Sequence, residues 1–101
     1  MKILGIDPGT TRIGYGVISA HGSDLQYLSS GLLKIISFDK EKRLLELATE
    51  YESLLKKEKP DLVSLEKLYF VKNVKTGLEV AQSRGVIIFL TKQNKIPIVE
   101  Y

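Results

Sequence analysis

The sequence predicts an α/β fold in which a mixed sheet of five strands, three antiparallel and then two parallel, carries helices packed on it. Apolar runs over 2–6, 13–20 and 25–36 are separated by Pro8-Gly9 and by His21-Gly22-Ser23-Asp24, the punctuation of consecutive hairpins. Residues 40–58 and 76–93 repeat apolar side chains at helical spacing. A short apolar run, Leu62-Val63-Ser64-Leu65, lies between those helices, an order that points to a parallel crossover.

The first strand, Lys2 to Ile6, runs into one carboxylate, Asp7, before Pro8-Gly9 turns the chain. In the second, Ile13 to Ala20, Tyr15, Val17 and Ser19 share one face and Gly14, Gly16, Ile18 and Ala20 the other, where the glycines suit a close neighbour. The turn at His21 leads into a third strand, about Leu25 to Ile36, completing an antiparallel meander. Asp39 is a good N-cap and Glu41 suits the positive end of a helix dipole, so 40–58 is an amphipathic helix. Its stripe of Leu44, Leu47, Ala48, Tyr51, Leu54 and Leu55 covers the sheet, and Pro60-Asp61 stops it.

Thr76-Gly77-Leu78-Glu79 has the form of a capping box, which starts the second helix near Thr76, and Asn94 is available as its left-handed C-cap. Gly77, Ala81 and Gly85 form a small-residue ridge, and Val86-Ile87-Ile88-Phe89-Leu90 is apolar all the way round. Such a helix needs cover on both faces: the sheet on one, and on the other a second copy of the chain or another part of the same chain. Ile96 to Tyr101 is the final strand. With no helix after it the sheet keeps apolar surface open, as the front part of a longer domain would.

At 101 residues there is room for one domain, 1–101, with one modest core. The absence of cysteine excludes disulfides and thiolate chemistry, and a single histidine argues against a histidine triad or zinc cluster. Met1 leads directly into a strand and no apolar run approaches the roughly 18 residues of a membrane span, so a cytoplasmic protein is expected. The net charge of +3 is unevenly spread: residues 66–95 hold Lys67, Lys72, Lys75, Arg84, Lys92 and Lys95 against Glu66 and Glu79. A polyanion suits that segment, and so does a solvated face.

Asp7 and Glu66 each follow an apolar strand. If those strands are parallel neighbours, both carboxylates emerge at one carboxyl edge, where open α/β sheets place ligands. Side by side they repel unless a cation or proton intervenes, and Mg²⁺ would satisfy them. Taken alone, Asp7 equally caps a turn, and Glu66 is more often an exposed strand-end residue paired with Lys67. Tyr69 and Phe70 among Lys67, Lys72 and Lys75 offer rings for unpaired bases and charge for phosphates, while in the other reading Phe70 and Val71 simply close the core and Tyr69 does not.

Gly5-Ile6-Asp7-Pro8-Gly9-Thr10-Thr11-Arg12-Ile13-Gly14-Tyr15-Gly16, Glu66 followed by Tyr69, Lys72 and Asn73, Ala81-Gln82-Ser83-Arg84-Gly85-Val86, and Pro97-Ile98-Val99-Glu100-Tyr101 together resemble the RuvC family of Holliday-junction resolvases. The resemblance runs over the whole chain. It implies a ribonuclease-H-like fold, here without the C-terminal helices, and a homodimeric endonuclease that cuts two strands of a four-way DNA junction symmetrically, partnered by the branch-migration helicase complex. By the same resemblance Asp7 and Glu66 bind metal, with two Mg²⁺ (or Mn²⁺) in each complete active site. Thr10, Thr11, Arg12, Tyr69, Lys72, Asn73 and Lys75 are the implied DNA contacts, and Gly77, Ala81, Gly85, Ile88 and Phe89 the dimer interface. The family's further acidic groups on a last helix have no counterpart here, which bears on whether this chain is itself active. Two other readings stand beside it: a nucleotide-binding lobe like that of actin-like ATPases, which share a phosphate loop similar to Gly5 to Thr11, and a non-catalytic piece for dimerisation and DNA binding. A related nuclease acting on ribosomal RNA precursors shares the opening motif, but Asp7-Pro8-Gly9 and Glu66 to Asn73 favour the junction enzyme.

Overall fold

The computed structural model describes residues 1–9, 12–67 and 74–101. Strand β1 (Lys2–Asp7) pairs with β2 (Arg12–His21), and β2 with β3 (Asp24–Lys34), both antiparallel. Helix α1 (Lys40–Glu58) crosses over to β4 (Leu62–Leu65), which lies parallel to β1, and α2 (Val74–Gln93) leads to β5 (Ile98–Glu100), parallel to β4. The resulting sheet has the order β3-β2-β1-β4-β5, the mixed five-stranded sheet expected.

One face of this sheet makes the core. Leu4 and Ile6 of β1, Ile13 and Val17 of β2, Leu33 of β3 and Val63 and Leu65 of β4 are buried against Leu47, Tyr51, Leu54 and Leu55 of α1 and Ile87 and Leu90 of α2. Alternation then fixes the other face, where Ile3, Ile18, Leu62, Val99 and Tyr101 line a shallow trough floored by Gly5, Gly16 and Ser64. The Tyr15 ring lies across Gly31, where any Cβ would meet its hydroxyl at 2.6 Å. Both helices are thus spent on one face of the sheet, and the positions of alternate strand residues follow from that.

Several boundaries differ from those read in the sequence, each for a local reason. β3 stops at Lys34, not Ile36, because the amides of Ile36 and Ser37 are taken by the two carboxylate oxygens of Glu46 on α1, at 3.0 and 3.2 Å. Asp39 does cap α1, accepting from the amides of Glu41 and Lys42. The helix ends through Lys59, left-handed at φ 47, whose N–H bonds the Leu55 carbonyl before Pro60. α2 begins at Val74, so the proposed capping box falls inside the helix. Glu79, its expected closing residue, instead meets Lys40 at 3.5 Å and Arg43 at 3.8 Å on α1. Asn94 is not the left-handed residue after α2. Lys95 is (φ 60), while the Asn94 amide donates to the Leu90 carbonyl and to Glu52. β5 is shorter than expected, spanning Ile98–Glu100 rather than 96–101.

Candidate metal centre and nucleic-acid edge

The parallel ladder of β1 and β4 builds the site. Ile6 lies opposite Leu65, and the amide of Glu66 continues the pattern by donating to the Ile6 carbonyl at 3.4 Å. Asp7 and Glu66 are therefore the next residues of two adjacent parallel strands. They emerge together at the carboxyl edge. Asp7 is exposed and Glu66 half-buried. The chain leaves Asp7 through Pro8-Gly9 and returns close by: a Cβ on Gly9 would run into the Arg12 carbonyl, so only glycine allows the hairpin to close this tightly.

A hydrogen bond between the two side chains, then the Asp7 charge and slight desolvation, push the Glu66 carboxyl above its ordinary range. Two carboxyls brought this close favour the protonated form of Glu66. A hard divalent cation relieves the same repulsion, and two carboxylate donors at an open edge fit such an ion, with water and phosphate oxygens filling the remaining positions. Among the described residues no group of three or more histidine, aspartate or glutamate side chains gathers as a fuller ligand set.

Next to the pair, along the same edge, Arg12 opens β2 and is exposed. Its Cα pairs with that of Lys34, which closes β3 and is also exposed. Lys34 was not among the residues singled out from sequence. A lone lysine at the end of an alternating strand gives no signal of its own, and only the register of the meander brings it beside Arg12. Lys75 lies exposed in the first turn of α2. Thr10, Thr11, Tyr69, Phe70, Lys72 and Asn73 lie outside the described residues.

On α2 the spacing separates two faces. Ser83, Ile87, Leu90 and Thr91 are buried, whereas Leu78, Gln82, Gly85 and Phe89 form an exposed stripe, Phe89 being 62% exposed. A Cβ on Gly85 would meet nothing within 4 Å. Of the five residues expected at an interface, Gly85 and Phe89 thus face outward, Gly77 and Ala81 are half-buried, and Ile88 packs against the core cluster. No described helix is long and apolar enough to cross a membrane.

Comparison with known proteins bears on the family and the fold. The sequence model of the family described as crossover junction endodeoxyribonuclease RuvC matches residues 3–101. The crossover junction endodeoxyribonuclease RuvC of Thermosipho melanesiensis is 42% identical over 105 residues, an alignment covering 100% of this chain and 65% of the relative. That of Thermomicrobium roseum is 43% identical over 102 residues, covering 100% and 62%. The chain therefore spans less than two thirds of the length of these relatives. Among solved structures, T. thermophilus RuvC in complex with a Holliday junction substrate superposes with a TM-score of 0.89 at 21% identity, covering 100% of this chain and 65% of that one. At that identity the match establishes the shared fold.

Proposed function

Because the chain belongs to the RuvC family of crossover junction endodeoxyribonucleases, we propose that it carries the carboxylate half of a metal-dependent endonuclease site that acts on four-way DNA junctions. The observation that carries this is the contact between Asp7 and Glu66 at the carboxyl edge of adjacent parallel strands, with the Glu66 carboxyl raised by Asp7. Asp7 and Glu66 hold Mg²⁺ or Mn²⁺. A divalent cation bound there supplies Lewis-acid stabilisation to the phosphodiester being hydrolysed.

The chain's own residues supply the rest of the surface. Arg12 lies two residues from the Gly14 that pairs with Asp7, within reach of a neighbouring phosphate. Lys34 extends the positive edge by one strand, so a DNA backbone leaving the carboxylates meets cations along β2 and β3. Thr10, Thr11, Tyr69, Lys72, Asn73 and Lys75 add hydroxyl, ring and ammonium contacts in this reading. Two copies pairing through the exposed stripe of α2 present two such edges, which suits a substrate cut twice in matching places. The family match over 3–101 favours this reading over a nucleotide-binding lobe.

The test is a labelled synthetic four-way junction and a linear duplex of the same sequence, each incubated with the chain with and without Mg²⁺. Binding preference for the junction and paired, Mg²⁺-dependent nicks confined to it are expected. Asp7→Asn is expected to bind and not to nick. Cutting by Asp7→Asn at the native rate would refute the ligand assignment, and equal affinity for duplex and junction would refute the substrate class. Junction binding by the native chain with no nicks would reduce the reading to a non-catalytic DNA-binding piece.

A further inference from the structure

Arg84 lies on the flank of α2 between its buried and exposed faces, with its side chain only 16% exposed. Its guanidinium reaches two strand ends at once. One terminal nitrogen, Nη2, stands 2.7 Å from Oε2 of Glu100 in β5. The Nε–H donates to the backbone carbonyl of Glu66 at 3.4 Å. The Glu66 segment is held from two further directions: its own amide by the Ile6 carbonyl, and the following amide, of Lys67, by the Tyr101 carbonyl at 2.8 Å. β1, the residue that follows β5, and α2 thus each fix one backbone group around the residue whose carboxylate meets Asp7.

A largely desolvated guanidinium is costly unless its donors are used, and an exposed-helix flank has no packing need for one. Arginine's rigid fork is what lets one side chain serve a carboxylate and a carbonyl in different directions. A lysine ammonium presents a single point of charge. We propose that Arg84 is a positioning residue of the cation site, fixing the Glu66 backbone so that its carboxylate stays against Asp7. This role rests on the reading of Asp7 and Glu66 as cation ligands. Arg84 does not touch the cation, and its effect passes through the Glu66 backbone, as partners of metal-binding side chains commonly act.

The experiment is Mn²⁺ titration followed by electron paramagnetic resonance at 20 °C on the native chain, Asp7→Asn, Arg84→Met and Glu100→Gln, with amide hydrogen exchange and metal-free thermal melts on each. Methionine keeps aliphatic bulk on the flank while removing every donor. The expected result is uptake by the native chain, loss in Asp7→Asn, and binding about tenfold weaker in Arg84→Met, with faster exchange at Glu66 and Lys67 in a variant still folded at the assay temperature. Glu100→Gln, which keeps Arg84 but removes its ionic partner, is expected to weaken binding about threefold, and it decides the matter should Arg84→Met not fold. Native affinity in folded Arg84→Met, or in Glu100→Gln where that variant stands in, overturns the positioning role alone. A native chain that takes up no Mn²⁺ overturns the ligand reading and the positioning role with it.

Discussion

A carboxyl that meets another carboxyl at a strand edge has a pH dependence of definite sign. Glu66 titrates higher in the folded chain than in the unfolded one, because Asp7 hydrogen-bonds to it and then repels its charge. The folded state therefore holds the proton more tightly. The stabilisation from the Glu66 proton is complete below the ordinary glutamate range and is lost as pH rises through the raised value. We expect the metal-free chain to melt at lower temperature as pH rises across that window, and Asp7→Asn to flatten this part of the profile. At neutral pH, Mg²⁺ should raise the melting temperature of the native chain and leave Asp7→Asn unmoved, since only a ligand that binds the folded state shifts unfolding. Scanning calorimetry over a pH series with and without Mg²⁺ reads both, and an Mg²⁺ shift of equal size in Asp7→Asn would contradict the assignment. Asp7 and Glu66 were legible in the sequence as acids ending apolar strands. Lys34 and the Arg84 contact were not, because each depends on which residues come to lie side by side after the strands and helices have paired.

The two helices lock to each other through one buried polar contact. Tyr51 Oη lies 2.7 Å from Thr91 Oγ1, and the Thr91 hydroxyl donates to the Ile87 carbonyl at 2.6 Å, so the tyrosine must be the donor in their mutual bond. Burial, opposed by that bond and aided by the nearby Glu52 charge, pushes the Tyr51 hydroxyl up to about 12. Tyr51→Phe leaves Thr91 bonded to Ile87 and should cost about 0.5–1.5 kcal/mol at neutral pH. Above the ordinary tyrosine value of 10.0 this advantage erodes. The unfolded tyrosine ionises while the folded one does not, and the native chain loses about 1.4 kcal/mol per pH unit until the folded group titrates as well. The difference between native and Tyr51→Phe should therefore vanish between about pH 10 and 11, as urea titrations at neutral and alkaline pH would show. A difference unchanged with pH would mean the hydroxyl is not shielded. At this scale α1 was readable to the residue, since its cap and stripe are local. The start of α2 was misread because Glu79 answers to Lys40 and Arg43 on another helix, and the end of β3 because Glu46 captures the amides of Ile36 and Ser37.

Among the described residues, apolar surfaces away from the core include the trough of Ile3, Ile18, Leu62, Val99 and Tyr101 on the free face of the sheet, and the stripe of Leu78, Gly85 and Phe89 on α2. The sequence showed that the second half of α2 is apolar all round. It could not show which side chains turn inward, because Val86, Ile87, Ile88 and Leu90 are equally apolar and only packing against α1 and the sheet sorts them from Phe89. The proposed pairing of two copies through α2 would use the stripe's own features. Gly85 has open space where a side chain would stand, which lets a second helix approach closely, and Phe89 one turn later supplies the large ring such a contact buries. Phe89→Glu would place a charge at the centre of that contact and should weaken association by about tenfold or more, the scale of losing one buried aromatic anchor. Val99→Glu, on the free sheet face, should leave association unchanged. Sedimentation velocity over a concentration series distinguishes the two surfaces. A dimer abolished by Val99→Glu and indifferent to Phe89→Glu would assign self-association to the sheet, and it would leave the two carboxylate edges arranged by a different two-fold axis from the one α2 provides.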